Sequence, residues 1–218
     1  MSLRPALLGA LLSCVPWVAS AGPITYAVTV DTSSISGTAG SLDFNFNPGP
    51  LATQAALLQI VSFTTNGTLA GSPSFTGDVG GGPLPSTLAF DNGTGFNDYF
   101  EGFTFGTTLA FSVSLYGPAL SAPDGVSTSG STFAFSMFSD AAGTIPALTS
   151  DTTDGYAFTV DVNLDGTTTV DNFSTDTIVQ RTSSATPEPS SLILMGMAMA
   201  LLGTLRVRQQ RRRQVSTF

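Results

Sequence analysis

The sequence predicts an all-β fold: a single antiparallel β-sandwich, with the jelly roll among its arrangements, followed by one C-terminal transmembrane helix. Three observations lead there. Apolar residues between positions 22 and 181 recur with period two. Clusters of Gly, Pro, Asn and Asp break those runs at the spacing of a sandwich or barrel. The chain then changes character into a charge-free apolar run and an arginine cluster.

Residues 1–21 read as a secretory signal. Arg4 supplies a positive start, residues 6–18 are hydrophobic, and Ala19-Ser20-Ala21 has the small-x-small pattern of a cleavage site. On this reading the mature chain begins at Gly22. The alternative of lipidation at Cys14 is disfavoured by bulky Leu12 and by the apolar run continuing past Cys14. The only Cys and the only Trp, Trp17, fall in this segment, so the mature protein is expected to have no disulfide framework.

Residues 22–181 form the predicted ectodomain, with about nine or ten strands. Ile24, Tyr26, Val28 and Val30 alternate with polar or small residues, as do Leu42, Phe44 and Phe46 with Asp43 and Asn45. Residues 57–63 are nearly all apolar, the pattern of a strand buried on both faces. Leu109, Phe111, Val113 and Leu115 share a face, as do Phe133, Phe135 and Met137. Tyr156, Phe158, Val160, Val162 and Leu164 form the next such set. No stretch here has a helical period, and no repeat of fixed length stands out. Residues 182–186 are expected to be a short stalk.

Charge narrows the function classes. Residues 22–185 hold thirteen Asp and Glu101 against Arg181 alone, a net charge of −13. Such a surface repels nucleic acid and anionic lipid, so no nucleic-acid partner is expected, whereas divalent cations suit it. With no His in the chain and no Lys or Cys in the mature domain, His-based triads, His-metal sites and Schiff-base lysines are excluded. No catalytic residue, cofactor or enzymatic activity is expected.

Three groups of residues are candidates for chemistry. Asp161, Asn163 and Asp165, with Gly166, have the spacing of the first ligands of a calcium loop, but position 12 of that loop is Asn172. A β-hairpin with a type I′ turn at Asp165-Gly166 accounts for the same residues better. Glu101, flanked by aromatic residues, is the one Glu before the tail; it suits a carboxylate-dependent glycosidase if buried. The favoured arrangement has it pointing outward from a strand whose Phe residues face the core. Tyr99 and Tyr116 are candidate platforms for a carbohydrate-binding module, although the commoner role for a strand Tyr is half-buried packing.

The C-terminal segment has three parts in fixed order. Pro187, Glu188 and Pro189 form a stiff, extended turn carrying one carboxylate. Residues 192–205 are apolar on every face and would span about 21 Å as a helix. Extended to 190–208, with arginine stems reaching to the interface, the helix covers about 28 Å of a hydrocarbon core of roughly 30 Å. Arg206, Arg208, Arg211, Arg212 and Arg213 close the segment, and five of the seven Arg in the protein lie there. The positive-inside rule puts this tail in the cytoplasm and the preceding domain outside.

Residues 187–213 resemble the PEP-CTERM sorting signal of Gram-negative bacteria, a segment also labelled an ice-binding protein C-terminal domain, a name that implies no ice binding here. The resemblance implies recognition and cleavage near Pro187-Glu188-Pro189 by an exosortase, a membrane-embedded cysteine transpeptidase. It further implies passage through the secretion machinery, anchoring in the inner membrane before processing, and delivery to the cell surface or an exopolysaccharide matrix. The expectation is an exported, non-enzymatic surface or biofilm-matrix protein.

Overall fold

The computed structural model describes residues 22–182. In chain order the strands are β1 (Ile24–Asp31), β2 (Ala39–Pro48), β3 (Leu57–Thr65), β4 (Thr68–Leu69), β5 (Ser74–Thr76), β6 (Val79–Gly81) and β7 (Leu88–Asp91). They continue as β8 (Asp98–Thr104), β9 (Thr108–Tyr116), β10 (Ser131–Phe138), β11 (Tyr156–Val162), β12 (Thr168–Asn172) and β13 (Thr177–Thr182). Ten of these have four or more residues, matching the expected number; β4, β5 and β6 are two- and three-residue pieces beyond it. Helix among the described residues is confined to one turn, Pro118–Ser121, and a 3-10 turn, Ser33–Ile35.

Two antiparallel sheets result. The first has the order β13-β1-β9-β3-β7-β6; the second has β12-β11-β10-β2-β8-β4, with β5 also on β8. Up to β9 the pairing is nested: β1 with β9, β2 with β8, β3 with β7, taken alternately from the first and second sheets. This is a long hairpin shared between two antiparallel sheets. After it, β10, β11 and β12 extend the second sheet outward from β2, and β13 returns to the first sheet beside β1.

The layers meet through aromatic rings. Phe111 of the first sheet sits 5.2 Å from Phe44 and 5.0 Å from Phe135 of the second, ring centre to ring centre. All of the face predicted on β9 points into this core, as do Leu42, Phe44 and Phe46 on β2. Period-two burial holds because successive side chains of a strand project to opposite faces.

Three expectations need correction. Residues 57–63 are not buried on both faces: Leu58, Ile60 and Phe63 face the core while Leu57 and Val61 lie half-buried. The phase changes because Ser62 takes φ of 57° and the pairing with β9 shifts register between Val61 and Thr64. The extra residue of this bulge lets Phe63 replace Ser62 on the inner face. Leu164 leaves the β11 face and is 51 % exposed in the turn that follows. The β11–β12 turn is also not type I′, which needs positive φ at both central residues. Only Gly166 has it, at 80°, with its N–H bonded to the Asn163 carbonyl at 3.0 Å, as in a three-residue loop.

The outer face of the second sheet is roofed at one end. The link between β10 and β11 bends back so that Ser41 Oγ donates to the Asp140 carbonyl at 2.9 Å. A Cβ on Gly143 of that link would stand 2.7 Å from the Phe100 ring. Thr182 pairs with Thr25 as the last rung of β13, so the strand takes the first residue assigned to the stalk. No helix among the described residues is long and apolar enough to cross a membrane; the expected span at 190–208 lies outside them.

Candidate functional site

Alternation along β8 decides where its polar residues go. Tyr99, Glu101 and Phe103 face the core, while Asp98, Phe100 and Gly102 face outward. Glu101 therefore does not point to solvent, as the sequence reading had it: it is 1 % exposed. The register with β2 sets this, since Tyr99 opposes inward Phe44 and Glu101 opposes inward Leu42. An outward Phe100, capped by the β10–β11 link, takes the place expected for Glu101.

Inside the fold, Glu101 is held by its neighbours. The Tyr99 hydroxyl donates to Glu101 Oε2, and the Gly71 N–H donates to Oε1 at 2.9 Å. Gly71 lies between β4 and β5, where the edge of β8 is briefly left, and its N–H is free to turn to the carboxylate. The Leu84 N–H in turn donates to the Tyr99 oxygen at 3.1 Å. Burial first, and then the bond to Glu101, push the Tyr99 phenol above its ordinary value. Tyr99 is 0 % exposed and so presents no platform to a sugar; Tyr116, at the end of β9, is half-buried.

On the opposite face of the same two strands sits a polar group that the sequence reading did not single out. Asn45 of β2 pairs with Asp98 of β8, and Asp43 stands one diagonal step away. Asn45 Nδ2 donates to Asp43 Oδ1 at 2.7 Å. Burial, followed by the contact with the Asp98 carboxyl, pushes the Asp43 carboxyl up to about 9. Asn45 is 8 % exposed, and neither its Oδ1 nor Asp98 Oδ1 has a hydrogen-bond partner. The signal was present in the sequence as polar residues alternating with Leu42, Phe44 and Phe46, but solvated outer faces give the same pattern.

The three residues with calcium-loop spacing are each engaged within the β10–β12 region. Asp161 Oδ1 accepts from Thr132 Oγ1 at 2.6 Å. Asn163 Nδ2 donates to Thr167 and Thr169 hydroxyls, both at 3.0 Å. Asp165 Oδ1 accepts from the Thr167 hydroxyl at 2.6 Å and from the Thr167 N–H at 2.9 Å, and this bonding holds its carboxyl below the usual value. Two of the three thus close a hairpin loop, while Asp161 ties β11 to β10. No group of three or more His, Cys, Asp or Glu able to hold a metal ion occurs among the described residues.

Comparison with known families bears on the tail. Residues 185–213 match the family model of the PEP-CTERM protein-sorting motif. The match covers Pro187, Glu188, Pro189 and the arginines from Arg206 to Arg213, and agrees with the resemblance drawn from their order. These residues, like Ala19 and Ala21 of the expected signal cleavage site, lie outside the described residues. No curated protein and no solved structure matches the chain.

Proposed function

We propose that the protein is cargo: a non-enzymatic β-sandwich exported across the inner membrane, held there by its C-terminal helix, and released to the cell surface or matrix by an exosortase. The observation that carries this reading is the PEP-CTERM motif at residues 185–213. In that scheme Pro187, Glu188 and Pro189 are read by another enzyme, and Arg206, Arg208, Arg211, Arg212 and Arg213 hold the tail in the cytoplasm until cleavage. Signal peptidase would act after Ala21. The buried, fully engaged Glu101 supports a non-enzymatic role, since a glycosidase carboxylate must reach the glycosidic oxygen.

Deletion of residues 187–218 tests this. The truncated protein should fail to reach the surface in processed form, read by intact mass of the surface-released chain. Arrival of the truncated chain at the same place with the same mature N-terminus would sink the proposal.

One observation favours a second reading, carbohydrate binding within the matrix. An open cleft of about 760 Å³ is lined by Thr149, Ser150, Asn172, Phe173, Thr175 and Asp176, a mixture of hydroxyls, an amide, a carboxylate and one aromatic ring. Glycan-array binding that disappears in Phe173→Ala would establish it.

A further inference from the structure

We infer that Asp43, Asn45 and Asp98 form a cation site on the outer face of the second sheet, taking a calcium-sized divalent ion. The three side chains come from adjacent strands in fixed register, so the backbone ladder rather than a loop sets their spacing. Two independent features point to an ion there.

The first is a deficit of donors. The Asn45 amide lies against Asp43, yet its Oδ1 is buried without a partner, and Asp98 Oδ1 beside it is likewise buried and unpartnered. Buried polar atoms are rarely left so. What is missing is positive charge or a hydrogen, because all three groups offer oxygen lone pairs.

The second is the lack of any internal counter-charge. Among the described residues Arg181 is the only cationic side chain, and it lies on β13 in the first sheet, opposite Tyr26. Two carboxylates brought into contact must then share a proton or bind a cation from solution. A divalent ion supplies the same neutralisation without the proton and satisfies the orphaned oxygens together.

Donor chemistry narrows the ion. The set is oxygen only, without His or Cys, which favours hard cations over zinc or copper. Three protein oxygens leave several positions to water, the pattern of low-affinity extracellular calcium sites with Kd of about 10⁻⁴–10⁻³ M.

The test is thermal unfolding of the full chain in detergent, in EDTA, CaCl₂ or MgCl₂, with calcium affinity measured by calorimetry. Calcium at ten times Kd should raise the midpoint by about 3–5 °C, and magnesium by less. Asp98→Asn should abolish the rise while leaving the EDTA midpoint equal or higher, because a neutral amide ends the carboxylate contact. Asn45→Asp, which adds a ligand charge, should bind calcium more tightly and melt lower in EDTA. Asp165→Asn, in the β11–β12 hairpin, should keep the calcium response. The proposal fails if calcium leaves the wild-type midpoint unchanged, or if magnesium matches calcium. It fails equally if Asp98→Asn keeps the rise, if Asn45→Asp does not tighten binding, or if Asp165→Asn loses the response.

Discussion

Tyr99 donates its hydroxyl hydrogen to Glu101, two residues along the same strand and on the same inner face of the sandwich. Through that bond the carboxylate reaches two separate loops, Gly71 directly and Leu84 by way of the phenol oxygen. Glu101→Ala strands the buried Tyr99 hydroxyl without its acceptor and returns the N–H of exposed Gly71 to water. It should lower stability by about 1–3 kcal/mol, the cost of one orphaned buried group. Tyr99→Phe removes two bonds and leaves Glu101 Oε2 and the Leu84 N–H buried without partners, so it should cost about 2–5 kcal/mol at the same rate per group. Urea unfolding of both variants measures the difference; a Tyr99→Phe loss below that of Glu101→Ala would refute this arrangement.

Phe111 is the ring through which the layers touch, packing against Phe44, Phe63, Phe135 and Phe158. Phe111→Ala should cost about 3–5 kcal/mol, because the removed ring leaves a cavity that neighbours from both sheets cannot jointly fill. Phe96 stands exposed before β8, and Phe96→Ala should stay within about 0.5 kcal/mol. Chemical denaturation of the pair separates core from surface.

Gly166 holds φ of 80° in the β11–β12 loop, and a Cβ there would lie 2.9 Å from Pro123 Cγ. Gly166→Ala should therefore destabilise by about 1–2 kcal/mol through left-handed strain alone. A type I′ turn would have made Asp165 as sensitive; Asp165→Gly should instead bring no gain in stability. Melting temperatures of the two variants decide the turn geometry.

Asp140 anchors the roof over the second sheet, with Oδ1 accepting from the Thr144 and Ile145 N–H groups at 2.9 and 2.8 Å. The Ile145 bond is the leading cause that holds its carboxyl below the ordinary 3.8. A carboxyl depressed in the folded state stabilises the fold above its unfolded value, and that contribution is lost as pH falls through the folded value. Asp140→Asn should melt lower than the wild type at pH 6, and the gap should narrow from pH 4 downward. Thermal melts between pH 6 and 2 would show a constant gap if the carboxylate carried no such role.

Much of the sandwich was legible because burial imposes period two wherever one strand face meets a core. β9 follows it without exception. What resisted reading was set by partners distant in sequence. The bulge at Ser62 has no local signature, since it depends on how β3 must meet β9. β7 and β13 are short or mostly polar, and pairing with β3 and β1 makes them strands. Glu101 was misplaced for the same reason: a sequence alternating Tyr, Phe, Glu and Phe does not say which parity faces inward until the register with Leu42 and Phe44 is known. The Asp43–Asp98 contact was hidden by a separation of more than fifty residues. The tail was the easier part, because its turn, apolar run and arginines are read in order along the chain and need no fold to be recognised.

β1 is flanked by β9 on one side and β13 on the other, so the first strand pairs with one strand from mid-chain and one from the far end of the domain. Loop closure over such distances makes folding slow to commit. β1 gains its second neighbour only when Thr177–Thr182 arrives, three residues short of the segment that matches the sorting motif. Delayed closure of this kind suits an exported polypeptide, whose first sheet stays incomplete until the end of the domain has been made.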